Sequence, residues 1–541
     1  MMNEPFHHLE RLLGVPTARL LAIKELDYCG LQHVGLAALA ALPQLEALEL
    51  RARGDLGLLS ALPALRRLTL HATWRGERAS LARLDLPALE ELTLRSHRDL
   101  ADLPALPSLR KLTLDGDVHC ETLRPQPALR VLALQDCAAR SLAPLLAFPS
   151  LVRLELERWS GPASGLKTVA SLPKLEELSL KGAILADLTP LLGARGLRVL
   201  DLRVTGIRDL APLAELPLLE VLYLPDGADL STLPHLPRLR DLAVRGAGAH
   251  LERVGAQSAL RRLVASAGGV SSLEALAGLT ELETLDISRN PGLTDLRPLS
   301  RLARLRSLDL ALTGVRALGP LARLSSLERL ALEGLPLEGL SPLAGLSSLQ
   351  VLGLHRSQVE SLEPLEGLEQ LQTLDLSVQG SLPEGSLRHL RGMEGLSHLR
   401  LPDGADGPTV ASLPALPALE TLELPSSGLV ELRSIGARPG LRRLNLRFSE
   451  GLRDLSGVEV LPGLTHLGLQ QTAVHELMPV VRLEALEELD VSACPITDLR
   501  PLLLSTSLSL VVVRGVPDPQ GVLPHLRRTR PLCRVVGDGG L

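Results

Sequence analysis

The stretch LETLDISRNPGLTDLRPL, residues Leu282–Leu299, decides the fold. Leu285 and Ile287 lie two apart, the period of a β-strand, so both face one side while Thr284, Asp286 and Ser288 face the other. The second half, TDLRPL, puts Pro298 before a leucine. Proline lacks an N–H and presets φ, which suits the first turn of a short helix. One strand and one helical turn thus fit within a single short segment.

The phrase L-x-x-L-x-L recurs along almost the whole chain. It begins with Leu45, Leu48 and Leu50, and its last copy starts at Leu508. There are 22 in-phase copies. Prolines recur fifteen residues after the first leucine, at Pro144, Pro190, Pro212, Pro320, Pro342, Pro364, Pro479 and Pro501. A second set, including Pro43, Pro63, Pro107 and Pro237, precedes the first leucine of the phrase by two residues and marks the loop that enters the strand. The interval is roughly 22 residues, and a fixed period of this size is the mark of a solenoid.

A single repeat cannot stand alone. About seven apolar side chains yield roughly 1.5–3 kcal/mol each on burial. Ordering the backbone of a whole repeat costs roughly 1–2 kcal/mol per residue. Stacking on both neighbours makes up the deficit and builds a parallel sheet with one buried side. Strands on one face and helical turns on the other differ in width, so the stack is expected to curve. The expected fold class is α/β: a horseshoe solenoid with a concave parallel sheet and short helices or 3-10 turns on the convex side. Expected divisions are an N-terminal cap with a degenerate repeat over 1–41, about 22 repeats over 42–514, and a C-terminal cap over 515–541.

Composition agrees with a leucine core. The chain has 541 residues, 45% hydrophobic, with only 3 Phe, 2 Tyr and 2 Trp. Its formal net charge of −5 argues against a nucleic-acid partner, for which a basic domain is expected. Five widely spaced cysteines do not form a disulfide scaffold and fit a reducing compartment. The N-terminus shows no cationic region leading into an apolar one, and no apolar run approaches a membrane span. These features point to the cytoplasm. Five lysines against 52 arginines suggest a GC-rich bacterial source.

The pattern L-x-x-L-x-L-x-x-N-x-I-x-D-L-x-P-L in residues 282–299, and again in LEELDVSACPITDLRPL at 486–502, resembles the leucine-rich-repeat superfamily. It is most similar to the 22-residue class of internalin-like proteins and a phosphatase-regulator subunit. The resemblance implies a binding frame and, by analogy, either a scaffold or a regulatory subunit of a phosphatase or small GTPase. At the asparagine position this chain has Asn only at Asn290. Elsewhere Thr, Ser, Ala or Gly predominates, with Cys137 and Cys494, so weaker support of the turn backbone is expected there.

No catalytic constellation emerges. GPASGLKT (161–168) has the wrong spacing for a phosphate loop. C-x-x-C, H-E-x-x-H and G-x-S-x-G do not occur, no local cluster offers metal ligands, and no cofactor is implied. The stretch that follows the last strand phrase is too short for an attached ligase or GTPase domain. The remaining candidate is the outward strand face, where Asp201, Arg203, Tyr223, Asp241, Arg245, Arg400 and Arg447 are the expected protein-binding residues, with Phe448 among their neighbours. Extra loop length beside Trp74 and Trp159 suggests an edge patch. Arg527, Arg528, Arg530 and Arg534 form either an anionic docking patch or a solvated cap edge. The expectation is a non-enzymatic scaffold that binds another protein, with salt-sensitive affinity. Self-association through the strand face or an end stays open.

Overall fold

The structure is a computed structural model. It describes residues 23–27, 39, 42–51, 56–71, 81–96, 100–116, 122–136, 141–246, 251–377, 382–518, 520–530 and 533–537. The chain divides into two compact units, Met1–Leu260 and Arg261–Leu541.

The first unit carries β1 (Glu25–Asp27), β2 (Ala47–Arg51), β3 (Arg67–His71), β4 (Glu91–Arg95), β5 (Lys111–Asp115), β6 (Val131–Gln135), β7 (Arg153–Glu157), β8 (Glu177–Ser179), β9 (Val199–Asp201), β10 (Val221–Tyr223) and β11 (Asp241–Arg245). The second carries β12 (Arg262–Ser266), β13 (Thr284–Asp286), β14 (Ser307–Asp309), β15 (Arg329–Ala331), β16 (Val351–Gly353), β17 (Thr373–Asp375), β18 (His398–Arg400), β19 (Thr421–Glu423), β20 (Arg443–Asn445), β21 (His466–Gly468), β22 (Glu488–Asp490), β23 (Leu510–Val512) and β24 (Arg534–Val536). Strands β2 to β23 match the leucine phrases one for one. β1 falls before the first phrase and pairs Leu26 with Leu48. β24 falls after the last and pairs Val511 with Val535.

Within each unit the described pairings are parallel and in leucine register. Leu285 meets Leu308, Leu308 meets Leu330, and Leu330 meets Leu352. The alternation follows the sequence: in β2, Leu48 and Leu50 are buried, while Ala47 and Glu49 are half-buried and Arg51 is exposed. Parallel strands need a crossover. Here it is made by short 3-10 turns such as Ala211–Glu215, Gly319–Arg323 and Met478–Arg482, each with proline in its first two positions. Pro501 opens an α-helical turn, Pro501–Leu504, in the same way.

Among the described residues, the turns that follow β4 to β16 and β18 to β23 take a left-handed residue. Glycine fills it at Gly182, Gly334 and Gly515, but Arg158, Val204, Arg289, Leu312, Arg356 and Phe448 hold φ between 52° and 63° at the equivalent place. Non-glycine residues carry steric strain in this backbone. The turn is then held from within the core. Asn290 is wholly buried: its Oδ1 accepts the N–H groups of Gly268 and Val270, and its Nδ2 donates to the carbonyls of Ala265, Ile287 and Ser288. The substitutes do less. Thr205 and Thr313 each donate to one carbonyl, at 2.7 and 2.8 Å. Cys494 Sγ donates to the Leu469 carbonyl at 2.9 Å, and burial pushes its thiol pKa up. Its ladder role is therefore structural. Cys137 and most of the expected N-terminal cap over 1–41 lie outside the described residues.

A second device carries no signal in the repeat pattern. Gln126 and Gln257, both 1% exposed, stitch the opposite side of the stack. Gln126 accepts from the Leu106 N–H and donates to the Pro104 carbonyl; Gln257 repeats this with Leu236 and Pro234.

Candidate functional site

The outward strand positions form columns, because parallel register places equivalent residues side by side. The column between the two strand leucines is rich in Asp, and the reason is local. The Oδ1 of Asp286, Asp309, Asp375 and Asp490 accepts the backbone N–H two residues on, at 2.8 to 3.0 Å, and Asn445 does the same at 3.1 Å. These carboxylates satisfy the donor at the strand exit, so their recurrence reflects the turn.

Asp201 does this and more. Its Oδ1 accepts the Arg203 N–H at 3.0 Å, and the Arg203 guanidinium returns along the strand to donate Nε to Oδ1 at 3.0 Å and Nη2 to Oδ2 at 2.6 Å. The carboxylate holds the guanidinium above the ordinary arginine pKa. The same guanidinium stands 5.0 Å from the centre of the Tyr223 ring. Tyr223 is the register partner of Asp201 on the next strand. Three expected binding residues thus form one cluster with a fixed geometry. Asp241 is half-buried on β11, in register with Val221, and Arg245 is exposed at the end of that strand.

Arg400 and Arg447 lie in the second unit. Both are half-buried, and the Nε of each is shut off from solvent with no hydrogen-bond partner among the described residues. Arg447 stacks at 5.8 Å on the ring of Phe448, which is 42% exposed. Nearby, a recess of about 430 Å³ opens along β19 to β23, with Arg443, His466 and Glu488 on its walls. Its floor drops at Gly468, where a Cβ would lie 3.3 Å from Asn445 Oδ1.

The expected edge patch does not hold at Trp159. That side chain is 0% exposed, and a methyl built on Gly165 would sit 3.4 Å from its ring. The indole lies within the core beside Gly165 instead of on the edge. Trp74 lies outside the described residues. At the C-terminus, Arg527, Arg528 and Arg530 donate to the carbonyls of Val535, Pro524 and Leu503, while Arg534 is exposed. The Arg527 and Arg530 contacts tie the helix Val522–Thr529 and its end to neighbouring elements, and the Arg528 contact lies within that helix.

Nothing in the repeat pattern singles out Glu333. It faces outward beyond β15, its Oε2 is buried with no partner among the described residues, and burial followed by repulsion from Asp309 and Asp375 raises its pKa. Burial likewise raises Asp309. Glycine inside a strand often marks close approach, and Gly353 does so here: a Cβ there would lie 2.5 Å from Glu333 Oε1. Among the described residues no three or more His, Cys, Asp or Glu side chains are grouped to hold a metal ion, and no helix is long and apolar enough to cross a membrane.

Parallel strands in leucine register, proline-led 3-10 returns and a polar ladder inside the turn together define a leucine-rich-repeat solenoid. Solved structures bear this out. A leucine-rich-repeat protein of Leptospira interrogans is 20% identical, covers 75% of this chain and 95% of its own, and aligns with a TM-score of 0.51. TLR13, solved with ssRNA13, is 16% identical over 95% of this chain and 83% of its own, also at 0.51. An internalin (inlF) from Listeria monocytogenes is 19% identical over 73% of this chain and 96% of its own, at a TM-score of 0.34, too low to carry weight. No family model matches the chain, and no curated protein does. At these identities the likeness is one of fold.

Proposed function

We propose that this chain is a non-catalytic scaffold that binds another protein on its strand face. The observation that supports this most is the Asp201–Arg203–Tyr223 cluster. Tyr and Arg are among the side chains most enriched at interface hot spots. Side chains already locked in one geometry lose less entropy on binding. Arg203 is held on one side by a carboxylate and on the other by a ring, yet remains half-exposed. In this proposal residues 42–514 are the binding array, and 1–41 and 515–541 close its ends. A reducing compartment such as the cytoplasm suits the free thiols of Cys494 and Cys533.

The test is partner capture by the tagged chain in its native cell, repeated with Arg203→Ala, Tyr223→Ala and Arg245→Ala. Recovery of a specific protein should fall sharply with the first two. Recovery unchanged from that of the unaltered chain in all three variants, with folding unchanged by circular dichroism, overturns the proposal.

A further inference from the structure

We propose that the strand face of β18, β19 and β20 docks an acidic segment of the partner protein, its carboxylates on Arg400 and Arg447 and an apolar side chain against Phe448. This rests on the scaffold function proposed above and names the chemistry of what is bound.

The outward positions of these three repeats carry three arginines, Arg400, Arg443 and Arg447, against two carboxylates, Asp403 and Glu423. Many arginines elsewhere on the surface are already paired: Arg198 with Glu220, Arg306 with Glu328, Arg500 with Asp498. Among the described residues, no carboxylate lies within ion-pair distance of Arg400, Arg443 or Arg447. The face therefore presents positive charge that the fold itself does not use.

The unpaired state is costly. A guanidinium N–H withdrawn from water needs an acceptor, and leaving one without is worse than never burying it. Arg400 Nε and Arg447 Nε are both in that condition, two repeats apart on one face. A carboxylate is the ligand that matches a guanidinium fork. Phe448 adds an apolar contact. It is exposed at φ 63°, a backbone that glycine fills at no steric cost in sister repeats. The recess beside Arg443 and His466 gives room for a side chain that a flat sheet would exclude.

A protein segment fits better than a nucleic acid. Glu423 lies between the arginines, and Glu488 and Asp490 border the recess, so a continuous phosphate backbone would meet repulsion. Spaced carboxylates would not. Phe448 is also a single ring, whereas single-stranded nucleic acid is usually held on a series of stacking side chains.

The experiment is fluorescence anisotropy on the full chain with a labelled peptide of alternating glutamate and leucine. Its lysine counterpart and a single-stranded polyuridine serve as the other probes. The acidic peptide should bind and the basic one should not. Arg400→Glu with Arg447→Glu should weaken binding roughly tenfold or more, and Phe448→Ala should weaken it by a few-fold. Arg400 and Arg447 are half-buried, so a cooperative melt at or above the temperature of the unaltered chain certifies the fold. Equal binding of both peptides, no saturable binding of the acidic one, or indifference to the double reversal overturns the proposal. So does polyuridine that binds more tightly and displaces the peptide. If the peptide fails while partner capture still depends on Arg203 and Tyr223, this docking site falls and the scaffold function stands; if both fail, both fall.

Discussion

Asn290 reaches back one repeat and accepts the backbone N–H of Val270 at 2.9 Å, from a side chain with no exposed surface. The same oxygen takes the Gly268 N–H at 3.0 Å. Asn290→Ala strands two buried donors and takes one donor from each of three carbonyls, of which that of Ser288 keeps the Ala267 N–H. We expect a loss of roughly 2–4 kcal/mol, since each buried donor left unmet costs about 1–3 kcal/mol. Urea unfolding of the full chain measures it. A loss smaller than that of a single ordinary hydrogen bond would mean that water replaces the amide.

The carboxylates of the outward column should prove to be turn supports. Asp490 takes the Ser492 N–H at 2.9 Å. Asp490→Asn keeps that acceptor and should be near neutral, whereas Asp490→Ala should cost about 1 kcal/mol. If the alanine variant is as stable as the asparagine variant, the repeated aspartate has no structural role here.

Left-handed positions give a paired prediction of opposite sign. Val204 sits at φ 61° and is 73% exposed. Val204→Gly removes the strain of a β-branched residue there and should stabilise by about 0.5 kcal/mol after the entropy of the freer unfolded chain is set against it. Gly457, at φ +94°, has the Arg433 backbone nitrogen 2.6 Å from where a Cβ would lie. Gly457→Ala should cost about 2 kcal/mol or more. Thermal melts of the two variants should move in opposite directions.

Glu333 predicts a pH effect. Its folded pKa is raised, chiefly by burial, then by Asp309 and Asp375. The folded state therefore holds a proton that the unfolded chain has released, over the range between the ordinary glutamate pKa and the raised one. Stability falls as pH rises through that window and is not regained above it. Glu333→Gln should raise the melting temperature at neutral pH and change it little near the ordinary glutamate pKa and below, where both states are largely protonated. Equal shifts at both pH values would show that the carboxylate's charge carries no penalty.

Much of this structure was legible in the leucine interval. Every phrase from Leu45 to Leu508 became a strand, and each proline set fifteen residues on opened a helical turn. These features are set by burial within one period. The two compact units are each a stack in the same register, so the packing of layer on layer holds in both. The caps were less legible: β24 joins the ladder through Val535, where the tail alone signalled charge. Trp159 misled, because a tryptophan in an enlarged loop looks exposed, whereas its ring lies within the core beside Gly165.

The chain's own order of residues settled that leucine layers would stack, that one face would be strand and that this face would carry mixed charge, because period alone determines which side chains are buried. Which charges are satisfied was decided only in three dimensions. Arg203 is answered by Asp201 two residues away, but among the described residues Arg400 and Arg447 have no acceptor for Nε, and Glu333 is crowded by Asp309 and Asp375 from other repeats. Pairing depends on where side chains a full repeat apart come to rest against one another, a separation along the chain over which no local pattern carries information.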